Sequence, residues 1–178
     1  EWLLFGQIDL DYICESLLPQ LCPRQEGAAF LVGEMAYDVV IVPPMRTIRS
    51  TTLERLEAFV HAGGKLLFTG EIPSLVDAEP SSRAQMLTDK ATIVPFSQAS
   101  VLSHLRSERE LEVLADDGHL CDSLLHQIRE SGATRYVFIC DTRRRGETGL
   151  TRKQSSGVRT RVRFRGSWKV EQLDTHTG

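Results

Sequence analysis

No run of eighteen consecutive apolar residues occurs in the chain, so no segment reads as a membrane-spanning helix. No basic-then-apolar leader opens it, so no secretory signal is readable. Cys14, Cys22, Cys121 and Cys140 are scattered, without a CxxC pair or a Cys/His cluster at metal spacing. They read as reduced, buried thiols, and with the missing leader they favour a cytoplasmic setting. Neither GxGxxG nor GxxxxGK(S/T) is present, which leaves nucleotide binding unsupported, and no cofactor or metal is expected. The net charge of −3 over 178 residues supplies no global attraction to nucleic acid or a membrane. The chain begins at Glu1 without a methionine and stops at Gly178 just after a strand-like segment, so it is expected to be a piece of a longer protein.

An apolar fraction of 41% is ample for a core. The stretch from Tyr37 to Gly70 is the most informative. Val39–Val42 is an uninterrupted β-branched run, the pattern of a strand buried on both faces, and Pro43-Pro44 ends it. Ser50, Thr51 or Thr52 can cap a following helix, with Glu54 placed as in a capping box. Leu53, Leu56, Phe59 and Val60 recur at helical spacing. Gly63-Gly64 closes the helix, and Leu66–Phe68 forms a second buried strand. Two strands joined by one helix predict a parallel pair.

Around this unit the reading is coarser. Trp2–Phe5 is a candidate first strand, and Asp9 or Asp11 can cap a short helix stopped by Pro19. Phe30–Val32 is a brief strand before a turn at Gly33-Glu34. Residues 71–83, rich in Pro, Ser and acids, read as a loop over the carboxyl edge of the sheet. Ala91–Pro95 and Leu111–Leu114 are strands, with a helix between them started by Ser97 or Ser100. The order β-α-β-α-β predicts an α/β fold with a flavodoxin-like layered domain over 1–118.

Residues 119–178 have a different character. Leu120, Cys121, Leu124, Leu125 and Ile128 fit helical spacing, while Leu124–Arg129 and Arg135–Cys140 around Gly132 fit a hairpin, which is the preferred reading. Thr142–Gly157 reads as a basic loop. Val158, Thr160, Val162 and Phe164 alternate with Arg159, Arg161, Arg163 and Arg165, and Trp168–Leu173 reads as a further strand. Ten Lys/Arg and one acid, Glu147, lie between Arg143 and Lys169, so the rest of the chain is acidic. This segment is expected to be a partial β-sandwich.

Gly33-Glu34-Met35-Ala36-Tyr37-Asp38-Val39-Val40-Ile41-Val42-Pro43, with Leu53-Glu54, Leu56-Glu57, Phe59 and Gly63-Gly64-Lys65, resembles the flavodoxin-like domain of large multidomain glycoside hydrolases. These include alpha-L-rhamnosidase-like and family-2-like enzymes. The domain is related to the beta-galactosidase trimerisation domain and the class I glutamine amidotransferase fold. The tail from Arg135 to Thr142 and from Phe164 to Gly178 is similar to the entry of the β-sandwich that follows it. The resemblance implies a non-catalytic accessory domain supporting a catalytic domain, substrate rim or oligomer. Its partners would be other domains of the same polypeptide and, in an oligomer, a second copy. Carbohydrate would be reached through the parent enzyme, with no role for nucleic acid or membrane, and the catalytic carboxylates would lie in a separate barrel domain.

Ligands of open α/β sheets sit beyond the carboxyl ends of the strands. By resemblance, an amidotransferase nucleophile would stand on the turn Thr69-Gly70-Glu71-Ile72-Pro73, where no cysteine is found. A thiol–imidazole pair from Cys121 or Cys140 with His119 or His126 is the rival, lacking a strand-end turn. Glycosidase chemistry needs two carboxyl groups about 5–9 Å apart. Glu71 and Asp77 are the candidates, with Glu79 nearby, and the plain alternative is that they are solvated loop acids. The Arg159–Arg165 strand could be a polyanion face or a solvent-facing edge that discourages pairing. The arginine side has no aromatic platform for base stacking, which favours the edge.

Overall fold

Four apolar side chains at helical spacing, Leu53, Leu56, Phe59 and Val60, are all buried on the helix Ser50–His61. Each such burial is worth roughly 1.5–3 kcal/mol before entropy is counted. The computed structural model describes residues 1–142 and 159–174. Within them the helix ends as its glycines predict. The Gly64 N–H donates to Phe59 O (2.9 Å) and the Gly63 N–H to Val60 O (3.1 Å), the paired bonds of a Schellman motif. Gly63 takes φ of 90°, a conformation that disfavours side chains. Gly64 is required for space, since a Cβ there would lie 2.2 Å from the Phe59 ring.

The tight stop places Lys65–Thr69 directly after the helix as the central strand of a parallel sheet. Val39–Val42 pairs on one side, with Val40 opposite Leu66, and Thr92–Val94 on the other, with Ile93 opposite Phe68. Leu66, Leu67, Phe68 and Thr69 are all buried. Val39–Ile41 is only half-buried, because that strand is an edge of three rather than an interior strand. Phe30 meets Phe59 edge to face at 5.3 Å, which ties the short Phe30–Val32/Met35–Tyr37 hairpin to the same core.

The chain divides into two compact units, Asp11–His104 and a second made of Glu1–Leu10 with the chain from Leu105 onward. Composition instead places its one boundary at Gly118. The difference arises because Leu111–Ala115 does not extend the parallel sheet. It pairs antiparallel with Thr160–Phe164, with Val113 opposite Val162. In the same unit Leu124–Ser131 and Thr134–Asp141 form the hairpin preferred from sequence, with Gly132 at φ 59° in its two-residue turn. Leu111, Val113 and Cys121 are buried in a core shared with Ile128, Val137, Ile139 and Phe164.

Several short segments depart from the sequence reading. Trp2–Phe5 is one helical turn rather than a strand. Pro19 begins the helix Leu18–Leu21 instead of ending one, since proline is tolerated in a first turn. Residues 71–83 contain a hairpin, Leu75–Val76 with Glu79–Pro80, and Leu75–Val76 also pairs in parallel with Thr47–Ile48. Residues 168–173 carry no strand hydrogen bonding and are exposed. The basic loop expected over 142–157 lies outside the described residues, apart from Thr142, as does Val158. Among the described residues the result is a mixed α/β fold with a parallel three-stranded sheet, a small mixed three-stranded sheet and separate antiparallel ladders.

Gln7 is buried, and sequence patterning gives no warning of it. Its amide Nε2 donates to Val113 O and Cys121 O, both at 3.0 Å, and its Oε1 accepts the Val113 N–H at 2.6 Å. The side chain therefore behaves like a stretch of strand backbone against Leu111–Ala115. Arg109 adds a second tie from its Nε to Gly6 O at 2.8 Å.

Two substitutions test these closures. Gly64→Ala forces the fully buried Phe59 ring to move and is expected to cost about 3 kcal/mol in denaturant unfolding. Gln7→Leu keeps the bulk but removes the acceptor of the buried Val113 N–H and the donor to Val113 O and Cys121 O, with an expected loss of about 2–3 kcal/mol by the same measurement.

Candidate functional site

The segments that leave the carboxyl ends of Val39–Val42 and Lys65–Thr69 contain every acid considered for catalysis. Thr69 is buried, and its Oγ1 donates to Val42 O at 3.2 Å. Gly70 follows at φ 77°, its N–H donating to Val94 O at 2.8 Å. A side chain at Gly70 would meet Pro44 Cγ and Phe96 Cβ, each at 3.2 Å. The turn is flanked by proline and phenylalanine carbon, and Glu71 beyond it is exposed.

Asp77 lies against the start of a helix. Its Oδ1 accepts the Ser50 N–H at 3.0 Å, at the start of the 12-residue helix. Glu15 Oε2 accepts the preceding Arg49 N–H at 2.9 Å. The capping box expected from Thr51 and Glu54 does not form. Arg49 occupies the N-cap without a side-chain cap, and the cap is supplied by two carboxylates from elsewhere in the chain. Negative charge is favoured there by both the free N–H groups and the helix dipole.

Hydrogen bonding from Ser50, side chain first and then backbone, holds the Asp77 carboxyl below its ordinary pKa. Burial opposes this, and the Arg49 and Arg83 charges add to the lowering. A carboxyl stabilised in its ionised form is poorly suited to act as a general acid. Glu79 stands opposite Val76 in the small hairpin and is exposed. Farther on, Arg83 grips Glu57 through two bonds, Nε to Oε1 at 3.1 Å and Nη2 to Oε2 at 2.8 Å.

The thiol–imidazole combinations separate by strand alternation. Cys140 pairs with Leu125, and His126 pairs with Ile139 one residue away, so Cys140 and His126 point to opposite faces of the hairpin. His119 is exposed, and its N–H donates to Asp117 Oδ1 at 3.0 Å. His126 is half-buried on the strand face of Leu124 and Ile128. Burial lowers the His126 pKa, with the Asp9 charge opposing, so its imidazole is neutral at pH 7. Cys121 is buried, with its N–H donated to Val113 O.

The arginine strand is partly neutralised. Arg163 Nη1 lies 2.9 Å from Glu112 Oε2, its direct cross-strand neighbour. Arg161 stands opposite Leu114, and Arg159 and Arg165 are exposed. Trp168 donates from Nε1 to Arg165 O at 2.7 Å and lies under the Arg135 guanidinium, 4.9 Å from the ring centroid. Among the described residues no group of three His, Cys, Asp or Glu could hold a metal ion. No helix among them is long and apolar enough to cross a membrane.

No protein-family model, curated protein or solved structure matches this chain.

The Asp77 cap has a definite pH signature. A depressed folded-state pKa contributes stability that is complete above the ordinary carboxylate value and is lost as pH falls through the folded value. Carboxyl NMR should place the Asp77 midpoint below the ordinary aspartate value. The melting-temperature gap between wild type and Asp77→Asn should close as pH falls through that midpoint.

Proposed function

We propose that the chain is a non-catalytic scaffold module of a larger carbohydrate-processing glycoside hydrolase. Its parallel layer is flavodoxin-like, and its later antiparallel strands begin a β-sandwich. The observation that carries the non-catalytic reading is the engagement of Asp77 Oδ1 by the Ser50 N–H, which commits one of the two candidate carboxylates to a structural contact. The apolar flanks of Gly70 agree with it, since the place of a nucleophile is taken by a turn packed against Pro44 and Phe96. The assignment to a sugar-processing parent rests on the resemblance of residues 33–65 and of the tail segments 135–142 and 164–178. In this reading the module packs against other domains of its own polypeptide, shapes the rim of their substrate site or mediates self-association.

The Glu112–Arg163 pair argues for the arginine strand as a solvent-facing edge over a polyanion face, because it offsets charge at the centre of the stripe.

Incubation of the purified chain with a panel of aryl glycosides is expected to give no release above buffer, and Glu71→Gln should melt at the wild-type temperature. Turnover by the wild-type chain that disappears in Glu71→Gln would overturn the scaffold reading.

A further inference from the structure

Three residues other than glycine have positive φ among the described residues, and two of them are adjacent: Asp77 at 50° and Ala78 at 68°. They are the two central residues of the turn joining Leu75–Val76 to Glu79–Pro80, where Val76 pairs with Glu79. A two-residue turn with positive φ at both positions ordinarily uses Asn-Gly or Asp-Gly, because the second position crowds any Cβ. Alanine at that position is strained and has no polar side chain to compensate. The turn is held in this conformation by its surroundings. The Asp77 carboxylate takes the Ser50 N–H, the Asp77 N–H donates to Ile48 O at 3.0 Å, and the Ala78 N–H donates to Thr47 Oγ1 at 3.2 Å. Beyond the turn the same helix holds the chain again through the two-pronged Arg83–Glu57 pair. Gln85 Nε2 closes the segment on Pro73 O at 2.9 Å.

The partners of this turn come from the segments that leave the carboxyl ends of two neighbouring parallel strands. Thr47–Ile48 follows Val39–Val42, and Leu75–Pro80 follows Lys65–Thr69. That edge is where an open α/β sheet presents ligand-binding groups. We propose that residues 74–83 form a latched strap at this edge, held shut by the Asp77 carboxylate on the helix N-terminus and biased toward opening by strain at Asp77-Ala78. The strap opens while the parallel sheet behind it stays folded, and opening frees the first turn of the helix. This inference goes beyond the scaffold reading and does not depend on the parent enzyme.

Hydrogen exchange on the full chain separates the two contributions. Asp77→Gly removes the carboxylate and leaves the positive φ unstrained, so any loosening comes from the lost latch. The Leu75 and Ser81 amides, bonded to Arg46 O and Ser74 O, should then exchange at least tenfold faster, while Gly70 and the central strand Lys65–Thr69 keep the wild-type rate. Ala78→Gly relieves the strain with the latch intact and should slow exchange of the same strap amides severalfold. The proposal is overturned if strap and sheet amides accelerate together, if Asp77→Gly leaves the strap unchanged, or if Ala78→Gly speeds its exchange.

Discussion

Contact between the Gly64 backbone and the Phe59 ring governs the larger unit. The helix Ser50–His61 has to stop within two residues and hand the chain to a strand beneath its own buried face. Only a residue without a side chain leaves room for the ring there. The Schellman bonds give Phe59 O and Val60 O their donors at the reversal. Strand Lys65–Thr69 therefore enters at the centre of the parallel sheet with four consecutive buried residues. The neighbouring strands, and the segments that leave their carboxyl ends, are positioned from it.

The other end of the same helix engages two acids of the chain, Asp77 and Glu15, at its first N–H groups. Local serines and threonines stand where a cap is needed, yet Asp77 and Glu15 accept the first two N–H groups. A carboxylate gains more than a hydroxyl from a helix N-terminus, because it meets a partial positive charge as well as a donor. Once ionised and engaged there, Asp77 is a structural anion. Arg83 and Glu57 repeat the device one step along, and the loop beyond the sheet is tied down twice to one helix.

Buried glutamine amides take the part of missing strands in both units. Gln25 donates to Ala29 O at 2.7 Å and accepts the Leu31 N–H at 3.2 Å, fixing the approach to the first hairpin. Gln7 does the same for Leu111–Ala115 with three bonds. A primary amide carries both a donor and an acceptor, so one side chain can complete a ladder where no strand runs. Burying it without partners would be costly, and for Gln7 the partners come from residues more than a hundred positions away.

The sequence alone determined the features written in short-range chemistry. The buried face of the helix follows from 3.6-residue spacing, its end from Gly63-Gly64, and the central strand from an unbroken apolar run. The hairpin around Gly132 follows from alternation on either side of a turn residue. The tertiary structure decided everything that depends on a partner distant in sequence. It placed Val39–Val42 at an edge, moved Leu111–Ala115 out of the parallel sheet into a ladder with Thr160–Phe164, and brought Glu1–Leu10 into the unit that resumes at Leu105. It also set the Asp77 carboxylate against the Ser50 N–H at the start of the helix. Periodicity reports which face of an element is apolar, and a single acid in a polar loop looks the same whether it will meet solvent, a sugar or a helix N-terminus. That choice is made by the closure of the chain over tens of residues, which local spacing does not encode.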